Sequence, residues 1–226
     1  MSSDAKTPHV IAVVGLYRSG TSCVAGMLHT LGVSMGKRFM PNSKNNQKGF
    51  FEAIGLRRDL ARMVRSPLSE NPVIGNDFDG RVNVLRQHVE LRKGDSDPLG
   101  AKHPHLCLLV PEMAEAWPGV KVVTVTRDLD TVMESMKNSR MFPRANIDNW
   151  RAGLERMITT RDADAAKLNV PVLALNYADV LANPAKTVDD LIAFAGISPA
   201  SEQKEAAVAF VDQELCHHPS TTETSA

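Results

Sequence analysis

Gly15-Leu16-Tyr17-Arg18-Ser19-Gly20-Thr21-Ser22 is the stretch of this 226-residue chain with the plainest chemical content. It follows the apolar run Val10–Val14 and leads into a helical pattern, the setting in which backbone N–H groups and a helix N-terminus cradle an anion. The triphosphate-binding version of such a loop is G-x-x-x-x-G-K-[ST], whose lysine reaches the outer phosphates. Here Thr21 occupies the lysine position and the cation, Arg18, lies inside the loop. The loop therefore suits a shorter anion than a triphosphate; a strand–helix turn that binds nothing is the plainer alternative. Arg127 and Ser135 offer a second anion site. Arg127 ends the apolar run Val120–Thr126, and on a helical wheel Asp128, Thr131 and Ser135 share a polar side away from Leu129, Val132, Met133 and Met136. A guanidinium fork and a hydroxyl then face one groove and fit a second phosphate, against the alternative of a surface arginine and a solvated serine.

Proton transfer has fewer candidates. Glu52 follows Phe50 and Phe51, and a carboxylate set against apolar neighbours is a candidate general base. It serves equally as a helix-start carboxylate favoured by the macrodipole ahead of the helical spacing at 53–64. Lys102-His103-Pro104-His105 gathers a cation and two imidazoles, although alternation along a strand aims His103 away from Lys102. Tyr177 either lines a nucleotide pocket or is a core tyrosine. Cys216-His217-His218 has ligand chemistry but no partner cluster, so no metal site is predicted.

The elements that position these residues alternate. Val10–Val14, Val120–Thr126 and Val170–Asn176 read as buried strands. Helical spacing covers 22–31, 53–64, 80–92, Leu106–Trp117, the segment after Arg127, 146–168 and 201–215; Pro184 behind Asn183 opens a further helix. GDSDPLG at 94–100 reads as a turn. Residues 34–49 are polar with few apolar anchors and read as a mobile loop that closes over bound ligands. The order predicts an α/β fold: a single domain over 9–215 with a central parallel sheet, helices on both faces and a P-loop-like nucleotide-binding architecture. Residues 1–8 read as a flexible N-terminus and 216–226 as a disordered tail. In such sheets ligands sit outside the carboxyl ends of the strands, where Gly15–Ser22, 101–105 and Arg127 fall.

Composition narrows the function classes. Lys and Arg (26) balance Asp and Glu (26), so the chain lacks the positive charge on which general nucleic-acid binding rests. No apolar stretch approaches the ~20 residues of a membrane helix, and the polar start MSSDAKTP has no signal core. Three scattered cysteines, Cys23, Cys107 and Cys216, read as reduced thiols, which predicts a cytoplasmic protein with no membrane span. Oligomeric state is not encoded legibly.

GLYRSGTS, then GFFE at 49–52, GAKHP at 100–104, VVTVTRDLDTVMES at 122–135, YADVLANP at 177–184 and FAGI at 194–197 resemble, in that order, the landmarks of the sulfotransferases. The resemblance covers roughly 9–200 and is nearest the bacterial-type members with R-S-G-T, since many eukaryotic cytosolic members carry lysine where this chain has Arg18. The proline that often follows the R-D pair is Leu129 here. The resemblance implies 3′-phosphoadenosine 5′-phosphosulfate as donor, adenosine 3′,5′-bisphosphate as product, and no metal requirement. It implies that Gly15, Tyr17, Arg18, Ser19, Gly20, Thr21 and Ser22 hold the 5′-phosphosulfate, that Arg127 and Ser135 hold the 3′-phosphate, and that Tyr177 lines the nucleotide pocket. Arg18 would meet charge on the leaving phosphate. Lys102 lies where the family places a strand-end lysine on the transferring group. Some glycan-acting members are thought to use a glutamate like Glu52 as base, and cytosolic small-molecule members use a histidine, so His103 and His105 rival Glu52. The acceptor would be a small molecule or glycan bearing a hydroxyl or amine. A small-molecule kinase is the competing enzyme, lacking here its lysine and a strand-end magnesium carboxylate; a non-catalytic nucleotide-binding protein of the same fold is the third reading.

Overall fold

Val10–Gly15 (β1) is β-branched and closes on glycine, and every one of its residues is buried. That is the pattern of a strand covered on both faces, and side chains alternate accordingly. Ile11 and Val13 join one core; Val10, Ala12 and Val14 join the other. The computed structural model describes residues 9–41, 47–69, 71–92, 94–95, 97–139, 142 and 149–212. The expected flexible start at 1–8 and tail at 216–226 lie outside the described residues.

From β1 the chain enters α1 (Thr21–Thr30), α2 (Ile54–Met63), a short antiparallel hairpin of β2 (Val64–Arg65) and β3 (Val73–Ile74), and α3 (Phe78–Glu90). It returns to the sheet as β4 (Leu99–Lys102), passes a 3₁₀ helix (Pro104–Leu108) and α4 (Val110–Ala116), and forms β5 (Lys121–Thr126). After α5 (Leu129–Lys137) and α6 (Trp150–Lys167) come β6 (Val172–Asn176), α7 (Tyr177–Ala182), α8 (Pro184–Ala195) and α9 (Ser201–Ala209). The main sheet has the order β4-β1-β5-β6, and all its pairs are parallel. On one face Ile11, Val13, Val123 and Val125 meet Val24, Met27 and Leu28 of α1 and Val188 and Leu191 of α8. On the other, Val10, Ala12, Val14 and Val122 meet Leu85, Met113 and Leu154 of α3, α4 and α6. The α/β sheet with helices on both faces is thus as the alternation predicted. No helix among the described residues is long and apolar enough to cross a membrane.

Local chemistry sets the boundaries. Asp77 and Asp128 cap α3 and α5 by accepting from Gly80 N–H and Thr131 N–H, each at 2.8 Å. Pro184 opens α8, and Gly196 in left-handed conformation closes it. The single helix expected over Leu106–Trp117 is split, because Pro111 has no N–H to continue the ladder and instead starts α4. The turn expected at 94–100 already becomes β4 at Leu99, and the strand expected from Val170 starts at Val172 behind Pro171. The helix expected over 146–168 begins at Trp150 (146–148 lie outside the described residues), and the last one ends at Ala209.

The loop at 34–49 departs most from expectation. Met35 is buried, Ser34 bridges to Leu99, and Phe39 bridges to Ala53. Met40 N–H donates to the Glu52 carbonyl at 3.2 Å, and Ile54 N–H to the Arg38 carbonyl at 3.0 Å. The rings of His29, Phe39, Phe51 and Phe210 pack at 5.5–5.7 Å centroid spacing. Residues 34–41 are therefore anchored, contrary to the mobile loop the polar composition predicts; 42–46 lie outside the described residues.

Candidate active site

The sheet order decides where a ligand can sit. The connection leaving β1 returns on the β4 side, whereas the connection leaving β5 goes to β6, so the carboxyl ends of β1 and β5 flank a topological switch point. The two strands touch closely there: a Cβ on Gly15 would lie 2.5 Å from the Val125 carbonyl oxygen. Beyond Gly15 the chain turns sharply. Arg18 has φ 60° and Gly20 φ 96°, and Ser19 is buried with its hydroxyl donating to the Leu16 carbonyl at 2.8 Å. This turn aims the first turn of α1, with its unsatisfied N–H groups and partial positive charge, at the crevice.

Gly20 has a second constraint, since a Cβ there would enter the ring of Tyr177, the first residue of α7. Gly20→Ala is expected to cost about 1–3 kcal/mol through overpacking at a left-handed position, read as a lowered melting temperature.

Arg18 and Arg127 meet at this crevice. Arg18 Nε donates to Ser135 Oγ at 3.0 Å, Arg127 Nη1 donates to the Arg18 carbonyl at 3.2 Å, and the Arg127 guanidinium lies 5.5 Å over the Tyr177 ring. Burial first, then the charge of Arg127, holds the Arg18 guanidinium below its ordinary value. Two guanidiniums that repel each other beside a helix N-terminus make a candidate anion site, because a multiply charged ligand would relieve the repulsion.

The other wall is built on Glu52, which is 9% exposed. Its Oε1 accepts from Lys102 Nζ at 2.7 Å, while Oε2 faces Arg57 Nε at 3.8 Å and His103 Nε2 at 3.9 Å. Lys102 also donates to Ser22 Oγ at 3.1 Å and so ties the α1 start to the carboxylate. The expectation that His103 points away from Lys102 is corrected: β4 ends at Lys102, His103 caps the 3₁₀ helix, and both side chains reach Glu52.

Hydrogen bonds define the state of both imidazoles. His103 Nδ1 accepts from His105 N–H at 3.1 Å, so in the neutral ring the proton sits on Nε2, facing Glu52. Burial first, then the neighbouring His105 ring and the Lys102 ammonium, keep His103 well below its ordinary value and hence neutral. Cys107, fully enclosed, is pushed up to about 12 by burial and is no nucleophile.

Tyr17, Arg18, Gly20, Thr21, Ser22, Glu52, Lys102, His103, Arg127, Ser135 and Tyr177, predicted from scattered stretches, line one cavity of about 420 Å³. Gly15 and Ser19 do not reach it. The sequence reading missed Arg57 and Arg58, on the α2 face toward the cavity, and Lys48, which donates to the Phe210 carbonyl at 2.7 Å and pairs with Asp212 at 3.4 Å. Arg57 was legible in principle, one helical turn beyond Ala53. The Lys48 contacts, between residues far apart in the chain, were not. Among the described residues no group of three or more His, Cys, Asp or Glu is placed to hold a metal; Cys216-His217-His218 lie outside them.

None of the curated proteins matches the chain in sequence. Solved structures that share its fold include a sulfotransferase domain of the Synechococcus olefin synthase (17% identity, TM-score 0.52, covering 97% of this chain and 86% of that one), a sulfotransferase of Mycobacterium tuberculosis (18%, 0.55, 91% and 72%), and one of Mycobacterium avium (13%, 0.59, 96% and 70%). Residues 8–201 match the model of the sulfotransferase family. That match spans Arg18, Arg127 and the Glu52–Lys102 wall, and by it the chain belongs to the sulfotransferase family, the enzymes of sulfuryl transfer.

Proposed function

We propose that this sulfotransferase takes its donor as 3′-phosphoadenosine 5′-phosphosulfate and acts on the hydroxyl or amine of a small molecule or glycan. The observation that carries this is the juxtaposition of Arg18, Ser135 and Arg127 at the switch point, beside the start of α1. It fits a ligand with two separate phosphate-type groups and no triphosphate tail. When bound, that donor supplies the sulfuryl group and leaves as adenosine 3′,5′-bisphosphate.

The backbone N–H groups of the loop Gly15–Ser22 would hold the 5′ side and Arg127 with Ser135 the 3′-phosphate, with Tyr177 under the nucleotide. Arg18 and Lys102 are the cations placed to meet charge that grows on the leaving phosphate and on the transferring group. Glu52 is the base. The lone pair of His103 is spent on a backbone N–H and that of His105 on the Tyr17 hydroxyl, whereas the carboxylate retains lone pairs toward the cavity.

The test is calorimetric. Adenosine 3′,5′-bisphosphate should bind far more tightly than adenosine 5′-phosphate or ATP, and Arg127→Ala should cost about 1.5–3 kcal/mol of that affinity, the worth of a charge-assisted contact. At a hundredfold excess over Kd the bisphosphate should stabilise the protein by about 2.7 kcal/mol. Equal affinity for the mono- and bisphosphate would reject the assignment. Turnover should be indifferent to EDTA; magnesium-dependent ATP turnover would restore the kinase reading.

A further inference from the structure

His105 fixes the direction of a hydrogen bond that bears on the acceptor, an inference that rests on the sulfuryl-transfer reading above. Its Nδ1 lies 3.3 Å from the Leu60 carbonyl oxygen and its Nε2 2.7 Å from the Tyr17 hydroxyl. A carbonyl can only accept, so Nδ1 carries the ring proton. Burial holds His105 below its ordinary value, so near neutrality Nε2 is a bare lone pair and the Tyr17 O–H donates to it. Burial, and behind it the charge of Glu52, push the phenol far above its ordinary value, so the proton stays on the oxygen.

Tyr17 therefore spends its one hydrogen inside the protein. What its oxygen offers the cavity it lines is lone pairs alone. Sulfate and phosphate oxygens are themselves acceptors and are repelled by such a group, so this oxygen does not suit the donor, although Tyr17 precedes Arg18 in the loop. Phe142 holds the ring from the side, edge-on at 5.3 Å. The His105 ring in turn sits 4.4 Å from that of His103, which faces Glu52, so the phenol oxygen and the carboxylate belong to one wall.

We propose that Tyr17 Oη accepts a hydrogen bond from the acceptor substrate, and that the site selects acceptors with a second donor group beside the one that is sulfated. Glu52 takes the reacting hydroxyl and Tyr17 its neighbour. The class this describes is the polyols, sugars, catechols and amino alcohols, as opposed to compounds with a single hydroxyl. A part-buried acceptor left without a donor penalises the compound that lacks one, which is the usual origin of strong discrimination between a hydroxyl and its absence.

The experiment measures sulfation of matched pairs, trans-1,2-cyclohexanediol against cyclohexanol and catechol against phenol, by the parent and by Tyr17→Phe. In the parent, kcat/KM should favour the diol by roughly tenfold to a hundredfold. Tyr17→Phe should erase that ratio by slowing the diol alone, with adenosine 3′,5′-bisphosphate affinity unchanged. A parent without diol preference, equal slowing of both members of a pair, or no turnover of any diol would overturn the proposal. Failure of the parent to bind the bisphosphate would instead overturn the sulfotransferase donor reading. A measurement on the parent covers the case in which Tyr17→Phe does not fold: ¹⁵N NMR of His105 should show a protonated Nδ1 and a bare Nε2 near neutral pH. A protonated Nε2 also overturns it.

Discussion

Glu52→Gln should leave the affinity for adenosine 3′,5′-bisphosphate unchanged and lower turnover by ~10²–10⁴, the usual worth of a general base. The amide oxygen still accepts from Lys102, so the wall keeps its shape while losing the group that takes the proton. Glu52→Ala behaves differently. It leaves the ammonium of Lys102, 4% exposed, with Ser22 as its remaining hydrogen-bond partner. That should lower stability by about 3–5 kcal/mol, the penalty of breaking a buried pair and leaving its charge uncompensated. Adding Lys102→Met to Glu52→Ala should recover the melting temperature without recovering turnover, which separates the structural and chemical contributions. Near-parental turnover of Glu52→Gln, together with abolition of turnover by His103→Ala, would move the base to His103.

Arg18→Met should lower turnover by ~10²–10³, the effect of removing one donor that meets charge developing in the transition state. Its side chain is the cation inside the loop, and Ser135 fixes its Nε. The main chain of Arg18 has a separate task, because its carbonyl accepts from Arg127. Methionine keeps that carbonyl and the unbranched stem of the side chain, so bisphosphate affinity should fall far less than turnover. Arg18→Lys restores charge but not the hydrogen bond that orients it, and should fall between the two. Turnover close to the parent's in Arg18→Met, read in single-turnover kinetics, would assign the charge-stabilising role elsewhere, with Lys102 the next candidate.

Much of the site was legible because its parts are local. A β-branched run ending at Gly15, a glycine at the helix start and an arginine at a strand end are all readable over a few residues, and the parallel sheet brings them to one edge by topology alone. Ser135 was placed from the helical period of its neighbours and does meet Arg18. The failures came where tertiary contacts override composition. Met35 and Phe39 are isolated apolar residues in a polar stretch, yet each finds a partner from distant sequence, Met35 against Gly100 and Phe39 against Phe51. His103 was misdirected because alternation was carried one residue beyond the end of β4. The tautomers of His103 and His105 depend on a neighbour's backbone N–H, on the Leu60 carbonyl and on Tyr17, and no periodicity reports such contacts.

The excursion that carries Glu52, Arg57 and Arg58 leaves and rejoins the sheet at a single spot. Ser34, just after α1, bridges to Leu99 at the start of β4, and Gly100 N–H donates to the Ser34 carbonyl at 2.7 Å. The intervening chain is therefore a closed circuit hung on the sheet, and its helices complete the core: Leu56 and Leu60 of α2 and Leu85 of α3 pack in one cluster with Val10, Ala12 and Val14. The loop that leaves β1, in contrast, is locked into adjacent central strands where even a methyl group on Gly15 has no room. One half of the cleft thus departs from and returns to the sheet at one point, and the other is part of the sheet itself. New acceptors are open to such a scaffold through the exposed positions of that stretch, such as Arg57 and Arg58, and not through its replacement, because Glu52 within it holds Lys102 and Leu60 within it holds His105.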